Sequence, residues 1–313
     1  MLAAKNLILR AGKALYPVWK VDLQLGKEDR VALVGESGGG KTSLAWALLG
    51  RPLPGQEVLE GEVFFCGCNL LALSQSERAR LYYRRIALVP QNAQDSFHPA
   101  QVLWKSAREV IQNGENKKLD AKSVLGLLAP LGEPLDLPAS LWSCYPHQLS
   151  GGQKQRMALV LSLLNAPEVL LLDEPTNALD ELTREKVIVF LEDWLAAHHA
   201  SVILFTHDIG LAGRWAKRIA VLYRGEIVEE LPGDEMRRPL HPYTKGLMNA
   251  SVRMGDPPLS RRSIPGYALP ISAPPRKCGF LDRCSHAMER CGRESPSLQV
   301  RGNHRVRCFL PSL

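Results

Sequence analysis

Val31-Ala-Leu-Val-Gly35-Glu-Ser-Gly-Gly-Gly-Lys-Thr42 reads as an apolar strand, a glycine-rich turn and the first turn of a helix that continues through Ser43-Leu-Ala-Trp-Ala-Leu-Leu49. Gly35, Gly40, Lys41 and Thr42 satisfy the G-x-x-x-x-G-K-[ST] phosphate-loop pattern. A polyphosphate needs many N–H donors converging on it. The backbone must therefore approach closely and turn as glycine alone does without strain, which accounts for Gly38, Gly39 and Gly40. The helix beginning at Lys41 adds unpaired N–H groups and the positive end of its dipole. Lys41 is placed to reach the β- and γ-phosphates and the Thr42 hydroxyl to ligate Mg²⁺, with Glu36, Ser37 and Ser43 completing the loop. This is read as a nucleotide site.

A phosphate loop alone leaves many nucleotide enzymes open, and the segments downstream narrow the choice. Val169–Leu172 is an apolar run of the kind buried on both faces of a parallel sheet, and it ends in Asp173-Glu174. Two carboxylates behind four apolar residues are costly unless a cation pairs with them. Asp173 would hold Mg²⁺ directly or through water, and Glu174 would polarise the attacking water as general base. A second such run, Val202–Phe205, ends in Thr206-His207-Asp208. Leu149-Ser-Gly-Gly-Gln153 opens a helix running to about Leu164, with Ser150 as N-cap.

Around these landmarks the pattern predicts strands at Leu7–Leu9, Trp19–Leu25, Val58–Phe65 (with a bulge at Gly61) and Ile86–Val89, the last ending in Pro90-Gln91. Cys66-Gly-Cys68 is expected to be a turn with two small buried thiols. Helical spacing sets in at about Asp95, and with the Ser150 helix it defines a helical subdomain of about 95–165. Ile219–Leu222 and Glu226–Glu230 read as a closing hairpin.

Charge and cysteines divide the chain unevenly. Residues 1–233 hold 25 Lys and Arg against 26 Asp and Glu, whereas residues 234–313 hold 14 against 6. The formal +7 is thus a property of the tail and gives no ground for a nucleic-acid partner of the nucleotide-binding body. Six prolines between Pro257 and Pro275 predict an irregular segment after about Ser251, and the domain boundary is placed near 233–255. No apolar run approaches the ~18 residues of a membrane span. Met1–Lys5 lacks the features of a signal peptide, so a cytoplasmic location is expected.

Gly35–Thr42, Gln91, Leu149–Gln153, Leu170–Pro175, Ala178-Leu-Asp180 and His207 together resemble the ATP-binding cassette (ABC) ATPase family over residues 1–233. The resemblance implies an α/β fold: a RecA-like core sheet with an antiparallel β subdomain and a helical subdomain, followed by a Cys-rich irregular extension over 234–313. It implies that Gly35–Ser43 is the Walker A loop and that Asp173 with Glu174 is the Walker B end. Gln91 would contact Mg²⁺ and sense a transmembrane partner. Ser150, Gly151, Gly152 and Gln153 would cap the γ-phosphate bound to an opposite subunit. His207 would be the switch histidine, and Asp180 would communicate across a head-to-tail dimer. The adenine-stacking position falls near Ala11 or Gly12, with Tyr16 the nearest aromatic residue.

In the tail, His241-Pro-Tyr-Thr-Lys-Gly-Leu247, Ile264-Pro-Gly266 and Cys278-Gly-Phe-Leu-Asp-Arg-Cys284, with Cys291 and Cys308, resemble the C-terminal extension of oligopeptide, dipeptide and nickel importer ATPases. Tyr145–Ser150 and Ser96-Phe-His-Pro99 resemble the same subfamily, in which Ser-Leu-Asn-Pro is the commoner form. This implies an ATPase at the cytoplasmic face of the inner membrane. Its partners would be a second ABC ATPase, in a heterodimer rather than a homodimer, two membrane permeases docked on the helical insertion, and an external solute-binding protein. The alternative is a soluble nucleic-acid-linked ABC ATPase. It is disfavoured because the insertion has no sustained heptad, the chain has a single cassette, and neither relative explains the tail.

The four tail cysteines run C-x5-C-x6-C-x16-C. Structural disulfides are disfavoured in a cytosolic protein, and four thiolates can hold zinc or an iron–sulfur cluster. Zinc sites usually pair ligands about two to four residues apart, and these gaps are wider. The subfamily resemblance implies a [4Fe-4S] cluster, with Zn²⁺ and free thiols as alternatives. Arg276, Lys277, Arg283, Arg290, Arg293, Arg305 and Arg307 are expected to offset its charge.

Overall fold

The computed structural model describes residues 1–82, 84–115, 119–250, 264–267, 272 and 277–310, without the side chains of 114 and 115. The Pro-rich stretch predicted to be irregular lies almost wholly outside the described residues, as does Arg276. The chain forms two compact units. One comprises Met1–Leu25, Arg30–Leu71 and Ile203–Leu313, and the other Gly26–Asp29 and Ala72–Val202.

The first unit opens with β1 (Leu2–Ala11), β2 (Leu15–Leu25), β3 (Arg30–Val34), α1 (Lys41–Leu48), β4 (Gln56–Phe65) and β5 (Cys68–Asn69). β2, β1, β4 and β5 make an antiparallel sheet in that order, and the first two are longer than the apolar alternation alone predicts. The β1–β4 register slips between Lys5 and Ile8, opposite Gly61, so the expected bulge is present. The Cys66-Gly67 turn joins β4 to β5 with positive φ at both residues. Both cysteines of Cys66-Gly-Cys68 are exposed rather than buried, because the tip of a two-residue hairpin projects into solvent.

The second unit contains α2 (Gln75–Tyr82), β6 (Ile86–Val89), α3 (Leu103–Glu115), α4 (Ala121–Gly132), α5 (Gly151–Leu163), β7 (Val169–Asp173) and α6 (Glu181–His198). β6 and β7 pair in parallel from Ile86↔Val169 to Val89↔Leu172. Every residue of β7 is buried, as its unbroken apolar run requires. Leu103, Ile111, Val124 and Leu128 of the helical segment are buried with Trp142, so the predicted spacing marks its core.

The chain returns to the first unit within β8 (Ser201–Thr206), followed by α7 (Ile209–Trp215), β9 (Arg218–Tyr223), β10 (Glu226–Pro232), α8 (Pro242–Ala250), α9 (Glu289–Arg293), β11 (Gln299–Arg301) and β12 (His304–Val306). Within this unit the strands run β11-β12-β10-β9-β3-β8. The end of the tail is therefore not irregular: β12 adds antiparallel to β10 through Glu229↔Val306 and Glu230↔Arg305. Arg305 also pairs with Glu230 at 2.9 Å. Tyr243 and Phe280 enter the core formed by Val34, Ile219, Val221 and Tyr223, with Cys278 and Cys284 packed against it. The fully buried Glu229 accepts from Leu240 N–H (2.7 Å), His241 N–H (3.1 Å) and the His304 ring (3.0 Å). Three donors satisfy a carboxylate that would otherwise be costly to bury. Among the described residues no helix is long and apolar enough to cross a membrane.

Candidate nucleotide site

β3 delivers the chain into Gly35 in the middle of its sheet. A β-carbon on Gly35 would stand 2.2 Å from the Leu222 carbonyl oxygen, and one on Gly40 (φ 103°) would stand 1.9 Å from that of Pro17. These glycines let the loop press against β9 and β2. Gly39 accepts from Gly225 N–H (2.9 Å), and Gly225 accepts from Trp19 N–H (2.9 Å), so the turn at Arg224-Gly225 braces the loop. Gly40 caps α1 in a left-handed conformation. Lys41 is buried and donates through Nζ to the carbonyls of Gly35 (2.8 Å) and Glu36 (3.1 Å). Ser43 is buried and accepts from Gln56 Nε2 at 2.9 Å, Thr42 is half-buried, and Ser37 and Gly38 are exposed. His207 follows β8 and is exposed. The next residue, Asp208, caps α7 by accepting from Leu211 N–H at 2.9 Å. Tyr16 sits on β2 beside Pro17, edge-on to Trp19 with ring centroids 5.2 Å apart.

In the second unit, Asp173 and Glu174 are buried at the end of β7. Glu174 has φ 49°, a left-handed conformation that a non-glycine residue adopts at a cost. Asn177 donates through its side-chain amide to Glu174 Oε2 and through its N–H to the Glu174 carbonyl. Gln91 lies exposed two residues beyond β6. Ser150 caps α5 with a reciprocal pair: its Oγ accepts from Gln153 N–H (3.2 Å), and its own N–H donates to Gln153 Oε1 (2.9 Å). Gly151 and Gly152 follow, with room for Gln94 and for Ala178–Leu179 against them. Gln155, buried on the same helix, donates to the Pro175 carbonyl at 3.2 Å. Asp180 caps α6, and the Thr183 N–H and hydroxyl hold its carboxyl below the usual range. The second unit thus brings Glu174, Ser150–Gln153 and Asp180 onto one connected set of segments.

Four contacts lie beyond the sequence reading. Asn177 secures Glu174, Gln155 ties α5 to the segment after β7, and Arg283 and Tyr243 from the tail both bind Glu36. Arg283 was noted only as part of a basic surplus. The Ser-x-x-Gln spacing at 150–153 is the signal that could have given the reciprocal cap.

The four tail cysteines, all free thiols, line one nearly filled pocket of about 10 Å³, together with Phe280 and Leu281. Burial pushes Cys278 up to about 11 and also raises Cys284 and Cys308. Among the described residues no group of three or more His, Cys, Asp or Glu side chains is set to hold a metal ion. The basic surplus does not surround the thiols as expected, because most of it answers nearby carboxylates. Arg283 pairs with Glu36, Arg305 with Glu230, Arg290 with Glu294, Arg293 with Glu289 and Lys277 with Asp282, while Arg307 Nη1 lies 3.9 Å from Glu226.

Comparison with known proteins agrees with this geometry. The ABC transporter family model matches residues 18–177, and that of the oligopeptide/dipeptide transporter C-terminal region matches residues 228–291. The chain is 34% identical over 296 residues to the dipeptide transport ATP-binding protein DppD of Caldanaerobacter subterraneus, covering 93% of this chain and 90% of that protein. It is 31% identical over 313 residues to the oligopeptide transport ATP-binding protein AppD of Bacillus subtilis, covering 98% and 94%. The dimeric structure of a bacterial ABC transporter cassette superposes with a TM-score of 0.68 at 26% identity, covering 74% of this chain and 98% of that one.

Proposed function

The chain belongs to the ABC transporter ATP-binding family and is an ATPase, and from that premise we propose that it powers an importer of short peptides. The observation that carries the substrate class is the tail. The oligopeptide/dipeptide C-terminal region matches over residues 228–291, and the relatives reported above are named for dipeptide and oligopeptide transport. This narrows the peptide-or-nickel expectation to peptides, and neither nickel nor a nucleic-acid role draws support from these matches.

On this reading the chain divides at about 233 into an ATPase domain and an extension. Gly35–Ser43 hold the ATP phosphates, Thr42, Asp173 and Gln91 hold Mg²⁺, and Glu174 and His207 act on the attacking water. Mg²⁺ supplies neutralisation of the phosphate charge, and the buried Asp173 at the end of an apolar strand is the donor suited to it. Tyr16, beside the phosphate loop on β2, is the candidate for adenine. Ser150–Gln153 and Asp180 serve a second ATPase chain, a reading supported by the dimeric structure of the related cassette. That second chain is a related ATPase rather than a second copy. The two chains act at the cytoplasmic face of the inner membrane with two permeases and a solute-binding protein.

We propose a [4Fe-4S] cluster from the subfamily resemblance alone. Cys278, Cys284, Cys291 and Cys308 line one pocket, yet among the described residues no group of three or more ligands is set to hold a metal ion. They are the residues that would hold the cluster as a structural staple of the Cys-rich extension. Reconstitution with the permeases and binding protein of its transporter tests the transport reading. Peptide-loaded binding protein should stimulate ATP hydrolysis several-fold, and stimulation by a nickel chelate but not by peptide would refute it.

A further inference from the structure

Glu36, the second residue of the phosphate loop, is held from the tail at three atoms. Arg283 pairs with its carboxylate in the bidentate fork geometry, Nη1 to Oε2 at 2.7 Å and Nη2 to Oε1 at 2.8 Å. The Glu36 N–H donates to the Tyr243 hydroxyl at 3.0 Å. The guanidinium is itself fixed. Nε donates to the Pro265 carbonyl (2.7 Å), Nη2 also to the Gly266 carbonyl (3.2 Å) and Nη1 also to the Tyr223 hydroxyl (3.4 Å). All five guanidinium N–H groups thus have an acceptor. Its Cζ lies 5.7 Å from the Tyr223 ring centroid, and its side chain is only 6% exposed. Tyr243 is fully buried, and both Tyr223 and Tyr243 pack against Phe280.

The loop needs such a clamp for two physical reasons. A carboxylate in a loop built to cradle a polyphosphate repels its ligand unless a cation neutralises it. The Glu36 carbonyl also accepts from Lys41 Nζ (3.1 Å) and Gly39 N–H (3.2 Å), so the placement of Glu36 sets that of the phosphate lysine. We infer that Arg283 and Tyr243 are positioning residues for ATP binding, with Arg283 both neutralising Glu36 and fixing the phosphate loop from the tail. The ATP site is therefore assembled from both ends of the chain. The inference rests on the ATPase activity alone and does not depend on peptide import or on any cluster.

The test is a charge-compensation cycle in the full chain, with ATP KM and kcat as readouts. Arg283→Met keeps the apolar stem and removes the charge. It should raise KM roughly tenfold, the order expected for one uncompensated charge near an anion. Its kcat should stay within about twofold, because uniform binding is what is lost. Glu36→Gln supplies the other single-variant corner of the cycle, and the double variant Glu36→Gln/Arg283→Met should recover to within about threefold of wild type. Arg283→Lys, a point charge without the fork, should recover only part of the loss. Tyr243→Phe should raise KM about threefold through loss of one hydrogen bond. An unchanged KM in Arg283→Met would overturn the inference. So would a double variant as impaired as Arg283→Met, since that would make Arg283 a structural residue only.

Discussion

Replacing Glu174 by glutamine separates the fold of the site from its chemistry. Glu174 is buried at the end of β7, and its left-handed backbone conformation costs glutamine as much as it costs glutamate. The Asn177 side-chain amide donates to one carboxylate oxygen, and the carbonyl oxygen of glutamine can accept the same bond. Packing volume and hydrogen bonding are thus preserved, so stability should change by less than about 1 kcal/mol. The proposed general-base function would be lost, because an amide does not take a proton from water. Such bases typically supply ~10²–10⁴ in rate, equivalent to about 2.7–5.5 kcal/mol of barrier. ATP and Mg²⁺ affinity should hold to within about threefold, because the phosphate loop and Asp173 are untouched. The assay is single-turnover hydrolysis of radiolabelled ATP beside equilibrium binding of a fluorescent analogue. Turnover within about threefold of wild type would remove Glu174 from the role of general base. Loss of ATP binding would show that Glu174 matters for assembly of the site instead.

Three further expectations follow from the same geometry. Ser150→Arg should nearly abolish hydrolysis in the assembled dimer yet leave ATP affinity of the isolated chain intact, whereas Ser150→Ala should cost only the cap, about 1 kcal/mol in urea unfolding; loss of ATP binding by the isolated Arg variant would refute the head-to-tail reading. His241 is buried as the neutral tautomer whose Nδ1 accepts from Tyr243 N–H (3.0 Å), and burial brings it down to about 3. Because the unfolded imidazole takes up its proton first as pH falls below ~6.5, stability should drop by up to about 1.4 kcal/mol per unit between there and about pH 3. His241→Asn should flatten that slope, and equal slopes would refute the assignment. Protein purified without oxygen should be brown, with about four irons and four sulfides per chain, and colourless protein carrying one zinc would refute the cluster.

The phosphate loop, the buried strand with its terminal acids and the capped helix at Ser150 were legible in the sequence because each depends on neighbours a few residues away. The tail was not, for two reasons. Its apolar residues are sparse and its prolines frequent, so local pattern reads as irregular. What orders it is distant: β12 adds to β10, Glu229 takes three donors from 240–241 and 304, and Arg283 reaches Glu36 across 247 positions of sequence. The four cysteines do share one pocket, with Cys284 closing the turn at 281–283, Cys291 in α9 and Cys308 just after β12. The charges meant to serve them were misassigned, because counting arginines ignores the carboxylates that β10 and the phosphate loop present. Cys66 and Cys68 failed similarly, since thiol composition does not say which hairpin tip projects into solvent.

The glycines after Ser150 sharpen the choice of test for a partner chain. A β-carbon on Gly151 would meet Gln94 Oε1 at 2.8 Å, and one on Gly152 would meet Leu179 at 3.3 Å and the Ala178 carbonyl at 3.4 Å. At Gly151 only the flexible end of Gln94 stands in the way, whereas at Gly152 the Leu179 side chain and the Ala178 carbonyl would have to give. An alanine there would press on the segment leading to Asp180 and, through Gln155 and Pro175, on the turn that carries Glu174. Its effect on hydrolysis would mix a contact to the partner with damage to the chain's own acid. Ser150 is different, since within this chain its side chain accepts from the Gln153 N–H. In the isolated chain the alanine variant therefore measures that cap by itself. What Ser150→Arg loses beyond Ser150→Ala is then the interaction between chains.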